Sequence, residues 1–155
     1  MRKKRLYKKI HQPDILHNSI AMGRFINYLM EGGKKSTAEK VLYQALENIK
    51  EKIKEDPLAV FNKALENASP FLEVMSKRVG GANYQVPREV RPERKFFLAC
   101  HWIIAAARSR KGKPMAEKLA AELIEASKNE GAAIKKKQNV HRMAEANRAF
   151  AHFAR

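Results

Sequence analysis

Two short runs of period-2 alternation meet at a pair of glycines in a chain that is otherwise patterned for helices, and this juxtaposition restricts the possible folds. In the stretch EVMSKRVGGANYQVPREVRPER, from Glu73 to Arg94, Val74, Ser76 and Arg78 alternate with Met75, Lys77 and Val79, and Tyr84 with Val86 gives a second alternating run. Between them, Gly80-Gly81-Ala82-Asn83 offers two glycines and an asparagine for the positive-φ positions of a tight reversal. The pattern predicts a β-hairpin over 73–90. A two-stranded ribbon alone is marginal in water, so it has to lie on helices or reach into a partner. Its Lys77, Arg78, Arg88, Arg91 and Arg94 favour an anionic partner, because long cationic side chains on a slender backbone can approach phosphates closely.

The rest of the chain reads as helix. Ser19 can cap a first helix with Met22, Phe25, Ile26, Leu29 and Met30 on one face, ended by Gly32-Gly33. From about Thr37 to Lys54, Val41, Leu42, Ala45, Leu46, Ile49 and Ile53 form an apolar stripe. Asp56-Pro57 supplies a cap and an N1 proline for a third helix with Leu58, Phe61, Leu65 and Ala68. After the ribbon, Pro92 opens a helix through Phe96, Phe97, Trp102, Ile103 and Ala106, apolar on most sides and expected to be the central core element, Trp102 included. Pro114 opens another with Met115, Leu119, Leu123 and Ile124 inward, and a last helix runs from about His141 through Met143, Ala146 and Phe150. The expected fold class is therefore mainly α: a single bundle of about six helices with an inserted, protruding two-stranded β-hairpin. At 155 residues and 45% apolar content, one domain spanning 1–155 is expected, with 1–13 as a basic, flexible arm.

Charge segregates along this framework. The formal net charge is +16, yet residues 31–69 balance seven bases against seven acids. The excess lies instead in residues 1–11, with six bases and no acid, and in 70–95, 108–118 and 128–155, which net +3, +4 and +5. A surface evolved only for solubility mixes signs; separate basic segments are an electrostatic footprint for nucleic acid. A membrane surface is disfavoured, since no apolar run approaches the roughly 18 residues of a span and the basic segments carry no bulky amphipathic face. The start MRKKRLYKKIHQPD has no apolar region behind its charge and does not read as a secretory signal. One cysteine, Cys100, allows no internal disulfide and fits a reducing compartment.

Catalytic patterns do not hold. Gly32-Gly33-Lys34-Lys35-Ser36-Thr37 invites comparison with a phosphate loop, but Tyr28 occupies the first glycine position, Lys35 the hydroxyl position, and a helix precedes it. His11, His17, His101, His141 and His152 are scattered, and Cys100 and His101 diverge by about 100° on a helix, so no metal site is expected. Glu122 and Glu125 read as a solvated helix face, and Cys100 as a buried thiol. Tyr7 and Tyr84 interleave with bases and can stack on unpaired nucleotides; for Tyr84, cross-strand packing is the equal alternative. No enzyme activity and no cofactor are expected. Nucleic-acid binding remains, with a free chaperone or DNA-binding helical protein as the alternative; a DNA reader would present Asn, Gln or Arg on a recognition helix, which no segment offers clearly.

The runs VGGANYQVPREVRPER, DILHNSIAMGRFINYLMEGGKKSTAEKVLYQAL and HRMAEANRAFAHF resemble the universal family of the seventh protein of the small ribosomal subunit, in its bacterial or organellar form. The similarity runs uninterrupted from about Asp14 to Phe153. It implies a helical domain with an extended hairpin bound to the 3′ major domain of small-subunit ribosomal RNA, where it helps nucleate assembly of the subunit head beside the exit-site path of transfer RNA and messenger. With the charge pattern, it points to ribosomal RNA contacts from Arg2, Lys3, Lys4, Arg5, Lys8 and Lys9 of the arm and from Lys34 and Lys35. Further RNA contacts are expected from Lys77, Arg78, Arg91, Arg94 and Lys95 around the ribbon and from Arg108, Arg110, Lys111 and Lys113 in the following loop. The hairpin tip, Gly80, Gly81, Ala82, Asn83 and Tyr84, and the strip Lys135, Lys136, Lys137, His141 and Arg142 are expected to face transfer RNA and messenger. Neighbouring proteins of the head and platform are the other implied partners, with no membrane and no small-molecule substrate. The implied location is a ribosome of the cytoplasm or an organelle. Three positions depart from the family pattern: Arg88 stands where many relatives are apolar, Gln138-Asn139 replaces a commonly acidic pair, and Phe153-Ala154-Arg155 replaces a frequent Tyr-Arg-Trp.

Overall fold

The computed structural model describes residues 11–154, so the arm residues Arg2, Lys3, Lys4, Arg5, Lys8 and Lys9 lie outside the described residues. The chain divides into two compact units, Met1–Lys40 and Val41–Arg155.

In the first unit, helix α1 spans Ile20–Leu29, with the Ser19 hydroxyl accepting the Met22 N–H at 3.5 Å as anticipated. Met22, Phe25, Ile26 and Leu29 are buried. The segment before the helix folds back over it at Gly23, where a Cβ would stand only 2.5 Å from the Gln12 carbonyl oxygen, so no larger residue fits. Asp14, itself buried, ties this return by accepting the His17 N–H at 3.1 Å while its own N–H donates to the Ser19 carbonyl. The helix stops earlier than the glycines suggest: Met30 is already extended, and Gly32-Gly33 belong to the link that follows. Helix α2, Lys35–Ile53, begins in this unit and continues into the second, where Leu42, Ala45, Leu46 and Ile49 are buried along its apolar stripe.

The second unit is a helical assembly carrying the ribbon. Helix α3, Pro57–Ala68, starts as the sequence indicates: the Asp56 carboxylate accepts the Leu58 N–H at 3.2 Å and Pro57 takes the first turn, where a missing N–H costs nothing. Helix α4 covers Pro92–Ser109 and helix α5 covers Met115–Ser127. α3 packs on both, and α4 packs on α5. Their buried faces are rich in alanine (Ala99, Ala106 and Ala107 on α4; Ala116, Ala120 and Ala126 on α5), which lets helix backbones approach closely around Phe61, Ile103, Leu119 and Leu123. Trp102, expected in the core, is only half-buried; the small residues and Ile103 fill the space instead. Asn67 joins the helices by donating from Nδ2 to the Ala126 and Ser127 carbonyls at 2.9 and 3.0 Å, satisfying orphan acceptors at the end of α5.

Helix α6 departs most from expectation. It spans Ala132–Ala146, nine residues ahead of His141, so Lys135, Lys136 and Lys137 are helical. The polar run hides the periodicity, and the deciding contact is not local: the Glu122 carboxylate, reaching across from α5, accepts the Ala133 N–H at 2.9 Å. After Asn147 the chain tightens into a 3₁₀ helix, Arg148–Ala154, rather than continuing as α-helix through Phe150.

The ribbon consists of β1, Leu72–Val79, and β2, Ala82–Glu89, paired antiparallel from Leu72 opposite Glu89 to Val79 opposite Ala82. Only Gly80 and Gly81 form the turn, at φ +56° and +91°, the double positive φ of a two-residue hairpin whose twist matches its strands. Ala82 and Asn83, expected in the reversal, are therefore strand residues, and Asn83 sits opposite Arg78. The base of the ribbon lies on α6 and the 3₁₀ helix, while Lys77, Arg78, Gly80, Gly81, Ala82 and Asn83 at the far end are exposed.

Candidate nucleic-acid interface

The two strands place alternate residues on opposite faces, so the adjacent Lys77 and Arg78 serve different ends. Lys77 Nζ donates to the Phe153 carbonyl at 2.6 Å. Its cross-strand partner Tyr84 sits 5.2 Å from the Phe150 ring and 5.4 Å from Phe153, centroid to centroid. Tyr84 thus packs against the 3₁₀ helix, with partners from the chain's end rather than from the opposite strand. Arg78 is exposed and, among the described residues, has no acidic partner.

At the ribbon base, Glu73 gathers two of the cations. Arg88, directly opposite it in the ladder, donates from Nε and Nη2 to Glu73 Oε1 at 2.9 and 2.6 Å, and Arg94 Nε donates to Oε2 at 3.3 Å. The Glu73 side chain is 12% exposed. Burial pushes its carboxyl upward, but the hydrogen bonds from Arg88 and Arg94 outweigh that and hold it below the usual value. Arg94 also lies over the Phe97 ring at 4.9 Å. Arg91, at the N-cap of α4, makes no side-chain capping bond and is exposed. Lys77, Arg78, Arg91 and Arg94 are accordingly not four equivalent charges: Arg78 and Arg91 are open, whereas Lys77 and Arg94 are shared with the fold.

In the loop between α4 and α5, Arg110 departs from its expected role. Its Nε and Nη2 donate to Glu122 Oε2 at 3.1 and 2.6 Å, and Nη2 also bonds Glu125. Glu122 has no exposed side-chain surface, so the reading of this carboxylate pair as a solvated face is overturned. The hydrogen bond that Arg110 donates to Glu125 raises the guanidinium above its ordinary value against the opposing effect of burial, with Glu122 adding to the rise. Arg110 is structural. Lys113 approaches Glu117 at 3.8 Å, while Lys111 and Arg108 are exposed. In the first unit Lys35 lies 3.9 Å from Glu39, and Lys34 is exposed.

On α6, Lys135, Lys136 and Arg142 are exposed without acidic partners among the described residues. Lys137 and His141 turn inward. Lys137 Nζ donates to the Asn67 carbonyl at 2.6 Å, and burial lowers its ammonium below the usual range. His141 Nε2 accepts the Phe71 N–H at 3.1 Å, and the ring is held below its ordinary value by burial first and by Lys137 second. Lys95, half-buried, sits 4.7 Å over the Phe71 ring. Phe71 was not singled out from the sequence; it lies outside every helical stripe, directly after Pro70, which is the one signal that sets it apart. Among the described residues, no group of three or more His, Cys, Asp or Glu side chains is placed to hold a metal ion, and no helix is long and apolar enough to cross a membrane.

A family model for ribosomal protein S7p/S5e matches residues 1–148 of this basic helical chain. The chain belongs to that family. Relatives include the small ribosomal subunit protein uS7 of Chloroflexus aggregans, 58% identical over 143 residues, covering 92% of this chain and 91% of the relative. The protein of the same name from Thermosipho africanus is 54% identical over 153 residues, covering 99% of both chains, and that from Dehalococcoides mccartyi is 51% identical over 152 residues, covering 98% and 97%. Membership of the S7p/S5e family agrees with the resemblance carried by the hairpin and terminal motifs.

Proposed function

We propose that this chain is a structural, non-enzymatic constituent of the small ribosomal subunit. It binds the 3′ major domain of small-subunit ribosomal RNA, helps nucleate assembly of the subunit head, and lies in the ribosome of a cytoplasm or organelle. The observation that carries this reading is membership of the S7p/S5e family along residues 1–148. The distribution of open cations supports it: Arg78 on the ribbon, Arg91 at its base, Lys111 in the α4–α5 loop and Lys135, Lys136 and Arg142 on α6 are exposed and unpaired by acids among the described residues. Such charges cost nothing to release from internal partners and can replace counterions along a phosphate backbone. Arg91 and the ribbon base are fixed by the ladder and by Pro92, so they can select one arrangement of phosphates, where the arm of 1–13 adds affinity to any RNA.

In this reading the exposed turn Gly80-Gly81, with Ala82 and Asn83, projects toward exit-site transfer RNA and messenger, and the outer face of α6 accompanies it. Tyr84 and Lys77 act from behind by bracing the ribbon against Phe150 and Phe153. Neighbouring proteins of the head and platform complete the surroundings. A free nucleic-acid chaperone or DNA-binding role is not favoured, because the family is ribosomal. Co-sedimentation of the tagged chain with small-subunit particles at moderate salt tests the proposal; a chain found only in the free protein fraction would contradict it.

A further inference from the structure

Phe71 is an exposed aromatic ring on a fixed backbone. Its side chain sits on a residue that is 65% exposed, yet its N–H donates to His141 Nε2 and its carbonyl accepts the Val90 N–H at 3.0 Å. Both backbone groups are thus committed, one to α6 and one to the end of the ribbon, just after the buried Pro70. Lys95 Nζ stands 4.7 Å and Lys137 Nζ 5.7 Å from the ring centroid, and the His141 ring is 6.3 Å away. No carboxylate pairs with Lys95 or Lys137 among the described residues. A large apolar side chain left in water normally gains by turning inward, and nothing in its backbone setting provides that route.

We propose that Phe71, Lys95 and Lys137 form a single-nucleotide site in which an unpaired RNA base stacks on the Phe71 ring while its flanking phosphate is held by the two ammonium groups. The proposal rests on the ribosomal RNA-binding function above and names a site within it. An aromatic face flanked by cations matches the two halves of a nucleotide, a π surface and an anion, and every base offers the same face. A base displacing the Lys95 ammonium from the ring leaves that cation beside the base's own phosphate, so the cation–π contact is exchanged for an ion pair rather than lost. The lowered values of Lys137 and His141 are consistent with this: burial disfavours both charged forms, Lys137 adds its positive charge at His141, and an arriving phosphate offsets these effects. Duplex RNA, with its bases stacked away, offers the site only phosphates.

The test compares Phe71→Ala, Phe71→Leu, Phe71→Trp and Lys95→Gln in the full chain. Each is titrated against a fragment of the 3′ major domain containing single-stranded loops and against a plain RNA duplex, with thermal unfolding recorded for every variant. Stacking predicts that Phe71→Ala and Phe71→Leu both bind the looped fragment roughly tenfold more weakly with an unchanged salt slope, while duplex binding is unaffected. Phe71→Trp keeps or strengthens binding, and Lys95→Gln reduces the salt slope by about one ion. Full binding by Phe71→Leu would overturn stacking and indicate an apolar contact with a protein instead. Wild-type affinity in Phe71→Ala, or equal losses on loop and duplex, would remove the site while leaving the ribosomal role intact. Failure of the wild-type chain to bind the fragment would remove both.

Discussion

Replacing Glu122 by alanine should destabilise the protein more than any other single charge removal on α5, without acting directly on RNA. The wild-type carboxylate is fully buried, accepts two guanidinium hydrogen bonds from Arg110, and accepts the Ala133 N–H at the first turn of α6. Removal leaves the Ala133 N–H buried without an acceptor, which costs about 1–3 kcal/mol. Arg110 loses its deeper partner but retains Glu125 and is 31% exposed, so the ion-pair loss falls below the 3–5 kcal/mol typical of a fully buried pair; about 1 kcal/mol is a reasonable share. Together, Glu122→Ala should lower the unfolding free energy by about 3 kcal/mol. Glu122→Gln keeps an amide oxygen for Ala133 and should cost only about 1–2 kcal/mol. Urea unfolding followed by far-ultraviolet circular dichroism measures both, and amide exchange at Ala133 locates the damage. A loss below about 0.5 kcal/mol for Glu122→Ala, the range of ordinary surface changes, would refute the assignment of this cluster as the clamp between α5 and α6.

Acid should loosen the packing around the ribbon base in two stages, first at α6 and then at α4. The His141 pKa is lowered in the folded chain from 6.5, so its stabilisation is complete above 6.5 and lost as pH falls through the lower folded value, where protonation removes the lone pair that accepts the Phe71 N–H. Lys137 is the charged neighbour that adds to this lowering, while Arg88, Arg148, Glu89 and Glu145 line the same cleft as His141; urea unfolding at a series of pH values should show a step that His141→Gln abolishes. The lowered Glu73 carboxyl adds a second loss only below 4.5, as protonation releases Arg88 and Arg94. Trimming the ribbon so that an Asn-Gly turn joins Arg78 directly to its ladder partner Asn83 should change stability by no more than about 1 kcal/mol, with particle incorporation retained and exit-site transfer RNA occupancy altered. Deleting residues 2–9 should weaken binding to all RNAs alike and reduce the salt slope by about 4 to 5 ions; an unchanged slope would assign the arm another role.

The sequence disclosed what short-range rules govern. Ser19, Asp56-Pro57 and Pro92 mark helix starts because the capping or φ constraint lies in the residues themselves. The ribbon was legible because Gly80-Gly81 interrupts strict alternation, although the double positive φ closes the turn in two residues and returns Asn83 to the strand. Long-range chemistry was hidden. The start of α6 depends on a carboxylate eleven residues before Ala133, and Glu122 and Glu125 read as a solvated face and Arg110 as an RNA contact until the fold brings them together. The same holds for the basic residues: Arg78 and Arg91 remain open, whereas Arg94 and Lys137 are drawn to Glu73 and to the Asn67 carbonyl, partners no local pattern announces. Phe71 stands apart for a related reason, since a phenylalanine is expected inside and only its committed backbone explains its place at the surface.

The central claim is that fixed, open cations on the ribbon and its base direct this chain to one place on small-subunit ribosomal RNA. A hydroxyl-radical footprint of the purified chain on that RNA, run beside the Arg78→Gln/Arg91→Gln double variant, tests it most directly. Discrete protection confined to the 3′ major domain is expected, with specific affinity in the double variant reduced by about 2–4 kcal/mol, the scale of two charged hydrogen bonds, and binding to an unrelated duplex changed far less. Protection spread evenly along the RNA, or equal losses on specific and unrelated RNA, would contradict it.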